Sequence, residues 1–115
     1  MLLINRHGPH LPAVVRPLDR LDAASASLLT LAIDDLHAAG TADIIVDLLA
    51  CDFVDVRGID ALVAGTTRSR RIGGDVRVAY PTDHAVEQVL DLCGFSGFLR
   101  HGADPRALAV HWYKP

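Results

Sequence analysis

Acidic and hydroxyl side chains stand at the starts of two segments whose apolar residues recur at helical spacing. Asp22 and Ser25 open the first segment, and Asp55 precedes the second. Their oxygens can accept hydrogen bonds from the backbone N–H groups of a first helical turn, which have no partner within the helix. The positive end of the helix dipole favours negative charge at the same place. These residue types at this spacing therefore predict helix capping.

A catalytic alternative rests on Arg6-His7-Gly8, which is similar to the R-H-G start of histidine phosphatases, enzymes whose imidazole becomes phosphohistidine. Those enzymes need a much longer α/β chain, and here Pro9 follows the triplet at once, as in a turn. His7 and His10 resemble metal ligands, but two imidazoles without a third ligand leave a zinc site incomplete. We expect no catalysis, no metal ion and no cofactor. The catalytic alternative predicts a measurable phosphatase activity that the substitution His7→Ala abolishes.

Length and composition indicate one compact domain spanning residues 1–115. Of the 115 residues, 50% are hydrophobic and 22% are charged, whereas a disordered chain combines low hydrophobicity with high net charge. A formal net charge of −3 provides no long-range attraction to nucleic acid or to an anionic membrane. Cys51 and Cys93 lie far apart in apolar runs, which favours buried reduced thiols over a disulfide scaffold.

The chain shows no signal for export or for membrane insertion. Its first residues lack the apolar segment of a signal peptide, and no apolar stretch approaches the roughly 18 residues that span a bilayer. We therefore expect a cytoplasmic protein that does not insert directly into a membrane.

Strand and helix patterns alternate along the chain. Short apolar runs at 2–4 and 13–18, separated by a glycine and two prolines, predict two strands. Residues 22–40 carry apolar side chains at helical spacing up to a glycine stop. The continuous apolar run 43–48 predicts a central strand that is covered on both faces.

The second half repeats this alternation. Its patterns predict a helix over about 58–72 and a half-buried strand over 76–80. A helix capped by Asp83 follows and ends at Gly94. After it we expect a strand near 98–100 and a last helix with Asp104 as its cap and Pro105 in its first position. Alternating strands and helices imply parallel strand pairs and right-handed crossovers. We expect an α/β fold with a mixed sheet of about five strands and four or five helices, arranged as one layer of sheet and one of helices.

Two stretches of the sequence carry a family resemblance. Residues 21–26, L-D-A-A-S-A, are similar to a first-helix opening written G-x-L-D-x-x-[ST]-A, with Asp19 in place of the glycine. Residues 45–48 and 53–59, I-V-D-L and F-V-D-V-R-G-I, resemble a V-D-L strand followed by F-[IV]-D-S-[ST]-G-[LI]. Both patterns are those of the STAS domains, a family named after sulfate transporters and anti-sigma-factor antagonists, and the second is the more specific.

Two further segments extend the resemblance from about Pro12 to about Leu99. Residues 73–78 are similar to the family's glycine turn and edge strand, and residues 89–95 to its L-x-x-x-G-[LF] helix end. Each fragment alone is weak, but their order and spacing agree with the family throughout. The resemblance therefore implies a single STAS-type domain.

In the regulated members of this family, a partner kinase that also acts as the anti-sigma factor phosphorylates the serine directly after the signature aspartate. The resemblance places Val56 at that position, and valine has no hydroxyl to accept a phosphoryl group. Arg57 follows, and its charge opposes the helix dipole by roughly 0.3–1 kcal/mol unless it pairs with Asp55 or an external anion. We expect that the domain lacks the usual phosphoacceptor and binds its partner constitutively or in response to another signal.

The resemblance also implies a function. It predicts a protein-binding module of transcription regulation, in signalling of the bacterial type, whose partner is an anti-sigma factor or a related kinase-like ATPase. A STAS scaffold or transport-accessory subunit, which assembles with copies of itself or with a membrane complex, is the alternative. Small-molecule sensing is also known in this fold, but the chain has no glycine-rich phosphate loop. The implied contact face consists of Asp22, Ser25, Asp55, Val56, Arg57, Gly58 and Ile59.

Overall fold

The apolar segment Asp43–Asp47 forms a strand with neighbours on both sides, and the rest of the fold is arranged around it. The computed structural model describes residues 2–5, 12–81, 85–95 and 97–110. In chain order the elements are β1 (Leu2–Asn5), β2 (Ala13–Pro17), β3 (Asp19–Leu21), α1 (Ala23–Ala38), β4 (Asp43–Asp47), β5 (Cys51–Val54), α2 (Val56–Arg71), β6 (Asp75–Ala79), α3 (Ala85–Cys93), β7 (Arg100–Gly102) and α4 (Pro105–Val110).

Five of the strands form one mixed sheet in the order β1-β2-β4-β6-β7. β1 is antiparallel to β2, and the other neighbours are parallel. The predicted α/β fold with a five-stranded mixed sheet is confirmed, and four helices lie among the described residues. β3 and β5 pair with each other in a separate, parallel sheet. The sequence patterns do not predict this second sheet, because its strands have only three and four residues.

The main core lies between the five-stranded sheet and the helices α1, α2 and α3. Alternate side chains of the strands face the apolar sides of these helices, as the helical spacing of their buried residues predicts. Because burial of such side chains is the dominant favourable term in folding, this cluster holds the helices on the sheet. Its fully buried members include Val15, Leu29, Ile33, Ile44, Val46, Ile59, Leu62, Val76, Val78, Val86 and Leu90.

The position of the last helix differs from the predicted arrangement of one sheet layer and one helix layer. α4 packs against β4, β6 and β7, on the face of the sheet that carries Ile45 and Ala79. Leu108 of α4 joins these two residues in a second, smaller cluster. Helices therefore cover both faces of the sheet, and the prediction of a single helical layer is wrong. The prediction that the central strand is covered on both faces is confirmed.

The strand β6 also differs from its prediction. All five of its residues are buried, so the expected half-buried strand is wrong. Arg77 is only 8% exposed because α4 covers it, and its Nη1 donates a hydrogen bond to the Leu108 carbonyl at 2.8 Å. Nor is β6 at the edge of the sheet, since β7 pairs along its outer side.

Two boundaries near the end of the chain have simple physical causes. The strand predicted near 98–100 is β7, which begins at Arg100, because Phe98 turns back so that its N–H donates to the Phe95 carbonyl at 3.0 Å. The last helix begins at Pro105 as predicted, and Asp104 caps it by accepting from the Arg106 N–H at 2.9 Å. The Arg6-His7-Gly8 triplet, His10 and Asp83 lie outside the described residues.

Both cysteines are reduced, as predicted, but only one of them is fully buried. Cys51 is buried and Cys93 is half-buried. Among the described residues, no helix combines the length and the apolar character that a bilayer crossing requires.

A tight turn leads from the main sheet into the small one. Asp19 has φ +67°, the one positive φ outside glycine among the described residues. The Arg20 N–H donates to the Leu18 carbonyl at 2.8 Å, which closes a γ-turn around Asp19. Left-handed backbone favours glycine, and aspartate is one of the few other residues that adopt it readily. The glycine that the family pattern has at this position is explained by this backbone conformation.

Substitutions at Asp19 test the strain in this turn. We expect Asp19→Val to lower the free energy of unfolding by about 1–2 kcal/mol, because a branched side chain is penalised most at positive φ. Asp19→Gly should not destabilise the protein, and Asp19→Asn, which keeps the tolerance for this backbone but removes the charge, is the matched control. Urea unfolding of the four proteins measures the differences. Equal stability of the valine and glycine variants would contradict the strained turn.

Candidate functional site

The small sheet brings the first turns of α1 and α2 together. Leu21 at the end of β3 lies opposite Val54 at the end of β5 in the parallel pairing. The residues that follow, Asp22 and Asp55, are the N-caps of the two helices. The Asp55 N–H donates to the Leu21 carbonyl at 3.2 Å, which ties the start of α2 to the end of β3. Two helix N-termini, each with a capping carboxylate, therefore meet at one end of the domain.

Asp22 and Ser25 form a reciprocal capping box at the start of α1. The Asp22 carboxylate accepts from the Ser25 N–H at 3.3 Å, and the Ser25 hydroxyl oxygen accepts from the Asp22 N–H at 2.9 Å. The hydroxyl also donates to the Arg20 carbonyl at 2.7 Å. The backbone N–H of Ser25, and then its hydroxyl, lower the pKa of the Asp22 carboxyl. Asp22 is therefore ionised at neutral pH, as a cap at the positive end of a helix requires.

The start of α2 depends on the carboxylate of Asp55 and on glycine at position 58. Asp55 accepts from the Gly58 N–H at 3.1 Å. A Cβ at Gly58 would lie 2.6 Å from the Leu21 carbonyl oxygen and 2.7 Å from Leu21 Cγ. Only glycine therefore allows the first turn of α2 to approach β3 this closely.

Two side chains project outward from this turn. Val56 is the first residue of α2 and is 55% exposed, and Arg57 beside it is exposed as well. Asp55 is engaged with Gly58, and no ion pair joins Arg57 to a carboxylate among the described residues. A cation at the positive end of a helix is unfavourable unless an anion neutralises it. Arg57 is thus available to an acidic group from outside the chain.

A groove separates α1 from α2 next to this arginine. Small side chains on the facing sides of the two helices leave a cavity of about 310 Å³, with Arg57 and Asp60 as its charged members. Its other lining residues are Ala23, Ala26, Ser27, Thr30, Ala61 and Ala64.

The sequence patterns did not single out an apolar part of the same end of the domain. Phe53 of β5 is 41% exposed, and the Arg20 guanidinium lies over its ring, 4.6 Å from the centroid. Leu49, in the turn before β5, is exposed too. We call Leu49, Phe53, Val56 and Arg57 the signature surface. The exposure of Phe53 follows from the position of β5 in a two-stranded sheet, which periodicity in so short a strand does not reveal.

The thiol of Cys51 is the nucleophilic group of β5. Burial raises the pKa of the Cys51 thiol, so the thiol is protonated at neutral pH and is a weak nucleophile. Among the described residues, no three histidine, cysteine or acidic side chains converge as metal ligands. The arrangement can bind an apolar surface with an acidic group beside it.

The structure brings the seven predicted site residues together but divides them by role. Val56 and Arg57 form the exposed part, and Asp22 and Asp55 hold the helix starts. Ser25, Gly58 and Ile59, which we also predicted as parts of the contact face, are buried. Their part in partner binding stays a prediction. Ile59 belongs to the main core, where its side chain helps to position the surface.

The geometry can now be compared with known proteins. The family model described as the STAS domain matches residues 4–107, nearly the whole chain. This chain belongs to the STAS domain family. A search of curated proteins finds no match for it.

Solved structures agree with the family and show the same fold. The anti-sigma factor antagonist SpoIIAA in its unphosphorylated form superposes with a TM-score of 0.80 at 14% identity, over 100% of this chain and 99% of that chain. An anti-sigma factor antagonist from Mycobacterium paratuberculosis gives 0.77 at 20% identity, over 96% and 92%. A sulfate transporter family protein from Wolinella succinogenes gives 0.75 at 14% identity, over 93% and 88%. The predicted recognition of the family is confirmed, and this STAS domain resembles anti-sigma factor antagonists.

Gly58→Ala tests the close approach of α2 to β3. We expect the free energy of unfolding to fall by about 1–3 kcal/mol, because the added methyl group meets the Leu21 backbone, which cannot move without shifting β3. Gly97→Ala is the matched control, since a Cβ there has no heavy atom within 4 Å. Urea unfolding measures both changes. A Gly58→Ala variant as stable as Gly97→Ala would contradict the close packing.

Proposed function

We propose that this STAS domain is a protein-binding regulatory module of the anti-sigma-factor-antagonist type, that it acts in the cytoplasm, and that it catalyses no reaction. Its partner is an anti-sigma factor or a related kinase-like ATPase. The signature surface binds this partner without control by phosphorylation at position 56.

The observation that carries the proposal is the exposure of Val56 in the first turn of α2. In regulated relatives a serine at this position accepts the phosphate, and a phosphate there adds about −1.5 to −2 charges to the binding surface. Val56 keeps the position exposed and apolar. The surface then stays in its binding form whatever kinase and ATP are present.

The side chains of the signature surface indicate which properties the partner surface must have. Val56, Phe53 and Leu49 offer apolar area, and Arg57 offers a cation that pairs with no carboxylate in the part of the chain that the structure describes. Aromatic and arginine side chains in such a setting contribute much of the energy of protein interfaces. The matching partner surface is apolar with an acidic residue that reaches Arg57. The capped helices hold these groups in place before binding, which reduces the entropy lost on association.

A scaffold or transport-accessory role is the second candidate, and one feature favours it. β1 is an edge strand, and its residues Leu3 and Ile4 are both exposed although they point to opposite faces. Uncharged apolar edge strands readily pair with strands of other chains. Self-assembly through β1 would suit a scaffold and would leave the signature surface free.

A pull-down from native lysate with tagged protein distinguishes these functions. We compare wild type with Arg57→Glu and with Arg71→Glu, a matched charge reversal on the exposed side of the other end of α2. We expect wild type and Arg71→Glu to retain a histidine-kinase-like ATPase, identified by mass spectrometry. Arg57→Glu should retain at least about tenfold less, because reversing a charge that faces an acidic group costs several kcal/mol.

Two results would contradict the antagonist function. Retention of only the protein itself or of a membrane complex would favour the scaffold role. Equal loss of the ATPase in both charge-reversal variants would show that binding depends on overall charge rather than on the signature surface.

Val56→Ser tests the absence of the phosphorylation switch. Incubated with the retained ATPase and ATP, wild type should gain no phosphate, whereas Val56→Ser should gain one phosphate at position 56 and then lose its affinity for the partner. Intact-mass measurement and peptide mapping locate the modification. Stoichiometric phosphorylation of wild type at any residue would overturn the claim that the domain is not switched in this way.

A further inference from the structure

The two edge strands of the five-stranded sheet differ in character. β7 lies at one edge and carries Arg100 and His101, which are both exposed. β1 lies at the other edge with the sequence L-L-I-N, and it pairs with β2 in a continuous register without a bulge. Proteins use charged residues, prolines and bulges to keep edge strands from pairing with other chains. β1 has none of these, so it is suited to accept a further strand.

β1 is apolar on both of its faces. Ile4 lies opposite Val15, a member of the main core, so Ile4 is on the face of the sheet that carries α1. Leu3 lies opposite Arg16 and is on the other face. Both leucine and isoleucine are nearly half exposed, at 46% for Leu3 and 47% for Ile4. A strand that pairs with this edge must therefore offer apolar side chains on both of its own faces.

The charge beside Leu3 is already balanced. Arg16 pairs through Nη2 with the Asp47 carboxylate at 2.9 Å, and its Nε donates to the same oxygen at 3.0 Å. A two-fold axis brings groups near the axis close to their own copies, so an unbalanced charge there would meet a like charge. An uncharged strand beside a balanced ion pair avoids this repulsion. The edge therefore matches a second copy of itself better than a strand with charged side chains.

We propose that β1 binds β1 of a second copy of this chain in antiparallel pairing, which joins the two five-stranded sheets into one sheet of ten strands. Such an interface is isologous and has a two-fold axis, here perpendicular to the sheet. With Leu3 on the axis, Leu3 meets its own copy and Leu2 meets Ile4 of the second copy, so all three pairs are apolar. With Ile4 on the axis, Leu3 would meet Asn5. The apolar register therefore places Leu3 on the axis.

An exposed leucine of α1 extends the same surface. α1 contacts β1, and it meets α2 on its other side, where His37 lies 2.7 Å from Ser69. Nine residues, or two and a half helical turns, separate Leu28 from His37, so Leu28 projects from the side of α1 that faces away from α2. β1 is likewise the strand farthest from β6, which α2 contacts. In the pair of copies Leu28 is therefore on the side of α1 toward the second copy.

The pairing deepens the scaffold role, the second candidate function, and rests on that role for its purpose. It does not depend on the antagonist role, because β1 and the signature surface share no residue. A variant that cannot pair, such as Leu3→Lys, should therefore still retain the ATPase in the pull-down. A wild-type protein that stays monomeric would refute the pairing and would leave the capture of the ATPase unaffected.

Sedimentation equilibrium of the full chain over a range of concentrations tests the pairing. We expect the average mass to rise to that of two chains and no further, because the two-fold contact uses both copies of β1. Leu3→Lys should raise the dissociation constant of the dimer at least about tenfold, since it removes two apolar side chains from the interface and sets two like charges opposite each other.

Leu92→Lys is the matched control, because the same change is made at a leucine of α3 that is 87% exposed. It should dimerise like wild type. Equal weakening by both variants, a monomer at every concentration, or growth beyond two chains would refute the proposal. Thermal unfolding shows whether each variant remains folded.

Disulfide cross-linking tests the position of the two-fold axis. In a Cys93→Ser background, where the remaining native thiol of Cys51 is buried, Leu3→Cys should form a disulfide between copies under mild oxidation. Directly opposed residues have Cα atoms about 4.5–5.5 Å apart, which a disulfide can span. Ile4→Cys would lie opposite Leu2 and should cross-link far less in non-reducing electrophoresis. Equal cross-linking of the two variants would overturn this register.

Discussion

The parallel pairing of β3 with β5 is the constraint on which the signature surface depends. Because Leu21 lies opposite Val54, the residues that follow begin two helices side by side. The hydrogen bond from the Asp55 N–H to the Leu21 carbonyl then fixes the position of the start of α2 relative to the start of α1. A slip of one residue in this pairing would turn inward-facing side chains outward and would separate the two N-termini. The exposed turn owes its shape to two short strands, which join the main core through Leu21, Cys51 and Val54.

The helices α1 and α2 contact each other at several levels along their length, so their first turns are held firmly relative to each other. Gly65 of α2 allows Ile33 of α1 to pack against its backbone, since a Cβ at this glycine would lie 2.7 Å from Ile33 Cδ1. Further along, Arg68 pairs with Asp34 at 3.1 Å. His37 Nε2 and Ser69 Oγ are 2.7 Å apart near the ends of both helices. Movement of one first turn against the other would have to break contacts at each of these levels.

Much of the fold could be predicted from the sequence, because apolar spacing and caps are local signals. The helical spacing of Leu29, Ile33 and Leu36 predicted α1, and Asp55 and Asp104 marked helix starts correctly. The candidate site was predicted as a stretch of chain, but the direction of each side chain was not. In one helical turn Val56 and Arg57 point outward while Gly58 and Ile59 point inward. A motif written as consecutive letters does not contain that information.

What the sequence could not predict involves residues that are brought together only by tertiary structure. Phe53 has the character of a core residue, and it is exposed because β5 belongs to the small sheet. Arg77 has the character of a surface residue, and it is buried because a helix nearly thirty residues later in the chain packs over it. In each case the exposure of the side chain depends on an element that the local pattern does not contain.

The hydrogen bond between Arg77 and Leu108 couples the folding of α4 to its packing against the sheet. α4 has only six residues, too few to remain helical in water without tertiary contacts. Release of α4 from the sheet would thus also unravel it, and would hydrate both the guanidinium of Arg77 and the apolar pair Ile45 and Ala79. Amide protons in α4 should therefore exchange with solvent together, through one local unfolding event, while those of the central strand exchange only when the whole domain opens.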